Sequence, residues 1–140
     1  MLHIYTDGAC RGNPGPGSWG FIVVRNDAII HHGADKSSNI TTNNRMELLA
    51  VINALKYCKI DMVDDVTIHS DSMYIINGIT KWMESWRVKD FVGVKNSELW
   101  IELDYLNHCV KPTWKWVKAH STNKYNNQVD QLCNTILDRE

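Results

Sequence analysis

Three short apolar runs divided by turn residues open the chain. Residues 2–7, 18–25 (SWGFIVVR) and 28–34 (AIIHHGA) each predict a strand, and Asn26-Asp27 is the two-residue signal of a hairpin between the last two. The polar stretch 37–44 (SSNITTNN) predicts a loop. From Arg45 to Lys59, Leu48, Val51, Ile52 and Leu55 recur at helical spacing. Residues 65–70 (DVTIHS) predict a fourth strand, and 72–86 a helical stretch broken near Gly78. Residues 87–96 (RVKDFVGVKN) read as a loop. Residues 97–109 are helical, with Leu99, Leu103 and Leu106 on one side. TWKWVKA (113–119) alternates as a fifth strand. A last helix from Tyr125 to Arg139 carries Val129, Leu132, Cys133, Ile136 and Leu137.

The order β-β-β-α-β-α-α-β-α defines an α/β fold. It predicts a five-stranded mixed sheet flanked by helices: an antiparallel meander of three strands, then parallel strands reached by crossovers. If strand four lies beside strand one, their C-terminal ends are neighbours. Asp7 ends strand one and Asp71 follows strand four, at the sheet edge where open α/β folds bind ligands.

Composition narrows the partners. The 140 residues fit one domain, 1–140, and 44% hydrophobic content is enough for a core. Net charge is −1, so a polyanionic partner has to be held by local patches rather than a global field. The four cysteines, at 10, 58, 109 and 133, form no C-x-x-C pair, which speaks against a zinc ribbon and for reduced thiols. No signal peptide opens the chain, and no apolar run approaches the ~20 residues of a membrane helix. The expectation is an intracellular, cytoplasmic protein with no membrane partner.

Four acids carry the candidate chemistry, and each has a plain structural explanation. Asp7-Gly8 is common turn chemistry, and Asn44 with Glu47 has capping-box spacing. Asp71 precedes Ser72 at a helix start, and Asp130 has the character of a solvated surface acid. Together they mean more. The topology brings Asp7 and Asp71 to one edge, with Glu47 in the first turn of a helix near it. Crowded carboxylates do not all ionise without a cation. Mg²⁺ takes oxygen ligands and is usually completed by substrate phosphate. A pair of such ions, roughly 3.5–4 Å apart, serves phosphodiester displacement.

The stretches YTDGACRGNPGPGSWG, TTNNRMELLA, DSMYIINGITKW, KNSELW and WVKAHSTNKYNNQVDQL follow one another as in type 1 ribonucleases H. The chain resembles that family over about residues 2–138. The resemblance implies a stand-alone ribonuclease H-like domain. It also implies an endonuclease that cuts the RNA strand of RNA–DNA hybrids, leaving 5′-phosphate and 3′-hydroxyl ends. The family's metal-holding carboxylates fall on Asp7, Glu47, Asp71 and Asp130, for two Mg²⁺ ions with Mn²⁺ as an alternative. The family's loop histidine falls on His120, in a polar stretch and suited to shuttle a proton or help release product. RNA-strand contacts fall on Asn13, Asn43 and Asn44 and on the backbone near Cys10, where short amides read 2′-hydroxyls. DNA-strand contacts fall on Thr42 and Asn96 and on the tryptophans Trp82, Trp86 and Trp100. Trp19, Trp114 and Trp116 are expected in the core.

Three departures stand out. Loop 87–96 is short and mildly basic, Arg87, Lys89 and Lys95 being offset by Asp90, where longer members carry a strongly basic protrusion. Ile40 stands where members often have an arginine. No separate hybrid-binding domain is expected before Met1 or beyond Glu140. Weaker hybrid binding follows, in a monomer with no obligate protein partner. The competing readings are a hybrid-binding module without catalysis, another nuclease of this fold such as a strand transferase or junction resolvase, and a detached reverse-transcriptase domain.

Overall fold

A computed structural model of the chain describes residues 1–119 and 123–139. Its strands are β1 (Leu2–Cys10), β2 (Gly17–Arg25), β3 (Ala28–Lys36), β4 (Val66–Ser70) and β5 (Thr113–Trp116). The helices are α1 (Asn43–Ile60), α2 (Met73–Asn77), α3 (Met83–Val88), α4 (Ser97–Val110) and α5 (Lys124–Asp138), and a π-helical turn, Gly78–Trp82, joins α2 to α3. The strands form one sheet in the order β3-β2-β1-β4-β5. The first three pair antiparallel, and β1–β4 and β4–β5 pair parallel. This is the expected mixed sheet.

Alternation along the strands builds a layer on each face. Ile4 of β1 and Phe21 and Val23 of β2 face α1, against Leu48, Val51, Ile52 and Leu55. The intervening Tyr5, Ile22 and Val24 pack with Tyr125 and Val129 of α5. Burying a side chain of this size contributes about 1.5–3 kcal/mol. Thr42 caps α1, its hydroxyl accepting from the Arg45 backbone N–H at 3.3 Å, so Asn44 is not the cap. Asn26 and Asp27 take left-handed backbone angles, φ 49° and 63°, as the tight hairpin requires.

Two more expectations change, and the break expected near Gly78 is present. Asp7-Gly8 is not a turn: β1 runs on to Cys10, with Asp7 opposite Gly20 and Gly8 opposite Trp19. The break near Gly78 is a π-helical turn, pressed so closely on Trp100 that a Cβ at Gly78 would lie 2.1 Å from its ring. The fifth strand stops at Trp116, and Trp116 is 46% exposed rather than core; its indole N–H donates to the Asp71 carbonyl at 3.3 Å. All four cysteines are free thiols. No helix among the described residues is long and apolar enough to cross a membrane.

Candidate active site

Register delivers the first two acids. Thr6 of β1 pairs with Ser70 of β4, and each strand's next residue is an acid, Asp7 and Asp71. Glu47 comes from the first turns of α1, which packs directly on β1. Gly8 makes that packing possible, since a Cβ there would lie 2.5 Å from the Glu47 backbone nitrogen. One carboxylate oxygen each from Asp7, Glu47 and Asp71 lie within 4.8 Å of one another. Asp130 reaches the cluster from α5, its carboxyl hydrogen-bonded to that of Asp7. All four line a cleft of about 430 Å³ together with Asn43, Asn44, Ser72, Tyr74, Asn126 and Asn127.

The electrostatics follow from burial and like charge. Asp7 and Glu47 are each 5% exposed. Burial first, then the charges of Asp71 and Asp130, push the Asp7 carboxyl up to about 8, against one backbone hydrogen bond from Gly8 at 2.9 Å that lowers it. Burial, then Asp7 and Asp71, hold Glu47 well above the usual carboxylate range. Glu47 Oε1 is buried with no hydrogen-bond partner among the described residues. A buried acceptor without a donor, beside two more carboxylates, suits a hard divalent cation. Asp7, Glu47 and Asp71 can hold one.

The close β1–α1 approach makes Gly8 sensitive. Gly8→Ala must displace α1 and carry Glu47 away from Asp7. We expect a loss of about 1–3 kcal/mol in urea unfolding, typical of overpacking, together with a loss of site activity.

The amide surface forms beside this cluster. The turn after β1 is tied to the start of α1 by Gly15 and Thr41, which exchange backbone hydrogen bonds at 3.0 and 2.9 Å. Asn13 Oδ1 accepts from the Asn43 backbone N–H at 3.0 Å. The Cys10 thiol donates to the Gly15 and Thr41 carbonyls at 3.5 Å. Asn13, Asn43 and Asn44 are exposed, and Asn43 and Asn44 line the cleft.

The tryptophans form a graded ladder. Trp82 is 39% exposed, Trp86 half-buried and Trp100 fully buried. Trp82 and Trp86 lie 5.8 Å apart between ring centroids, Trp86 and Trp100 5.0 Å. Trp100 donates to the Tyr74 hydroxyl at 2.9 Å and is core, which corrects its assignment as a strand contact. Asn96 also donates to Tyr74 and accepts from Arg45 at 3.0 Å. His120 lies outside the described residues. Asn126 and Tyr74 were not singled out from the sequence; the spacing of Asn126 four residues before Asp130 was its one available signal.

Fold and cluster define a nuclease-type α/β protein whose acids gather at a sheet edge. Comparison with known proteins is specific. The profile of the RNase H family matches residues 1–137. The ribonuclease H of Ehrlichia canis (strain Jake) is 46% identical over 144 residues, covering 97% of this chain and 94% of that protein. Among solved structures, LC9-RNase H1, described as a type 1 RNase H with the type 2 active-site motif, is 28% identical. It aligns with a TM-score of 0.85 over 96% of this chain and 70% of its own. RNase H1 from the halophilic archaeon Halobacterium salinarum NRC-1 is 27% identical, with a TM-score of 0.77 over 98% of this chain and 97% of that one. The chain belongs to the ribonuclease H family.

Proposed function

We propose that the chain is a single-domain endonuclease that hydrolyses the RNA strand of RNA–DNA hybrids, with two Mg²⁺ ions, or Mn²⁺, at its four acids. The observation that carries this reading is the unpartnered, buried Glu47 Oε1 beside Asp7 and Asp71. Asp7, Glu47, Asp71 and Asp130 would hold the cations. When bound, divalent cations supply the charge that stabilises the attacking and leaving oxygens of a phosphodiester displacement.

The rest of the site positions the hybrid. Asn13, Asn43 and Asn44 present amides to the 2′-hydroxyls of the RNA strand, with the backbone near Cys10 beside them. Trp82 and the rim of Trp86 face the DNA strand, flanked by Thr42 and Asn96. His120 moves a proton during product release. His120→Ala therefore slows turnover without abolishing it, read from steady-state kcat.

Several basic residues near this surface are already engaged. Arg87 makes a two-pronged contact with Asp104, at 2.7 and 3.0 Å. Arg45 pairs with Glu98 at 2.5 Å and Arg11 with Asp138 at 2.6 Å. Each phosphate contact that is not made lowers the salt slope by about 0.9. We expect a high KM and a shallow salt dependence in a gel-shift titration; nanomolar affinity falling steeply with salt contradicts this. The protein is expected to act as a cytoplasmic monomer.

A labelled-substrate panel tests the function: RNA–DNA hybrid, duplex RNA and duplex DNA, each with Mg²⁺ or EDTA. The proposal predicts cleavage of the hybrid alone, and only with Mg²⁺. Hybrid binding without cutting identifies a binding module, and cutting of duplex DNA identifies another nuclease of this fold.

A further inference from the structure

Asn126 belongs to the cleft but to none of the roles above. It lies on α5 four residues before Asp130, so both side chains leave the helix on one face. It is 3% exposed and lines the same cleft as the four acids. Its amide oxygen, Oδ1, has no hydrogen-bond donor among the described residues. Leaving a buried acceptor unsatisfied costs about 1–3 kcal/mol, and native structures satisfy nearly all of them.

The helix itself does not account for this residue. Asn126 is the third residue of α5, where a longer Glu or Gln closes a capping box. The cap is already made by Asn123, whose Oδ1 accepts from the backbone N–H groups of Tyr125 and Asn126 at 3.1 and 3.0 Å. Asn126 Oδ1 takes no bond in that turn.

The donor it lacks has to come from the cleft. Ionised carboxylates are acceptors only. A divalent cation held by such acids keeps part of its water shell, and those waters donate. Groups just outside a metal's direct ligands fix their orientation and set affinity.

We propose that Asn126 is a positioning residue whose Oδ1 accepts a hydrogen bond from a water in the hydration shell of the bound divalent cation. The inference rests on reading the four acids as a cation site. Asn126 adds an acceptor without adding charge, at the side of the cleft where Asp130 stands.

The test is a titration with Mg²⁺ alone, followed by the backbone amide shifts of site residues in NMR. Wild type, Asn126→Ala and Asn126→Asp are compared, and the hybrid KM of each is measured at saturating Mg²⁺. Asn126→Ala is expected to bind Mg²⁺ about tenfold more weakly, with an unchanged hybrid KM. Asn126→Asp keeps an acceptor oxygen and is expected to bind at least as tightly as wild type. Asn126→Leu, which removes the acceptor at a similar shape, gives the same loss should the alanine variant fail to fold. Wild-type Mg²⁺ affinity in the variants that lack the acceptor overturns the inference even if their melting temperature falls. A raised hybrid KM with unchanged Mg²⁺ affinity also overturns it, and assigns the amide to the RNA strand. If wild type itself binds no Mg²⁺, the reading of the acids fails, which is a separate result.

Discussion

Asp7→Asn is expected to cut an RNA–DNA hybrid at no more than about a thousandth of the wild-type rate, the upper range for losing one charge-stabilising contact. In metal-free buffer at pH 8 the same variant is expected to melt higher than wild type. Both effects have one cause. Asp7 is buried beside Asp71 and Asp130, and its carboxyl is pushed from 3.8 up to about 8. The folded chain therefore holds a proton there that the unfolded chain has released. That proton's contribution to stability is fully present below about pH 4 and is lost as pH rises through about 8. Asparagine carries no such charge and keeps a similar shape, so the variant escapes a loss on the order of a few kcal/mol. Thermal melts of both proteins from pH 5 to pH 9 measure it, and the difference between the curves isolates Asp7. Equal melting temperatures at pH 8 contradict the account.

The second large effect is that Mg²⁺ offsets part of this pH-dependent loss in the wild type. A cation binds the deprotonated acids, so its affinity rises with pH. At ten times its Kd a ligand specific for the folded state adds about 1.4 kcal/mol, roughly 4 °C for a domain of this size. That shift is expected near pH 8.5, is expected to fade toward pH 5, and is expected to be absent from Asp7→Asn. Differential scanning calorimetry with and without Mg²⁺ reads it directly. A shift of the same size at pH 5 and pH 8.5 assigns Mg²⁺ to surface binding instead of the buried acids.

The acid cluster was legible in the sequence because it depends on where the parallel β1–β4 ladder ends. Once β1 and β4 are neighbours in parallel, the residues following Thr6 and Ser70 stand side by side. Glu47 was legible because the helix after the meander has to return over the sheet. What stayed hidden depended on contacts between distant segments. Asp7-Gly8 resembles a turn, but the ladder to β2 continues through Gly20 and Trp19. Gly8 serves the approach of α1 instead. Helical spacing put Trp82 and Trp86 on one face but could not set their depth. Depth is fixed by where α4 packs, which makes Trp100 core and leaves Trp82 at the rim. Trp116 was misplaced because alternation in β5 does not reveal that this is an edge strand, where Trp116 stays 46% exposed. Asn126 showed only as one of several amides, and its missing donor is a property of the folded cleft.

The most direct measurement is strand-resolved cleavage of one RNA–DNA hybrid carrying a different 5′ label on each strand. The account predicts that with Mg²⁺ the RNA strand is cut internally, leaving 5′-phosphate and 3′-hydroxyl ends, while the DNA strand stays whole. Chelation stops the reaction, and Asp7→Asn leaves no more than about a thousandth of the wild-type RNA cleavage. Cleavage of the DNA strand, RNA cleavage that persists in EDTA, or RNA cleavage by Asp7→Asn near the wild-type rate contradicts it.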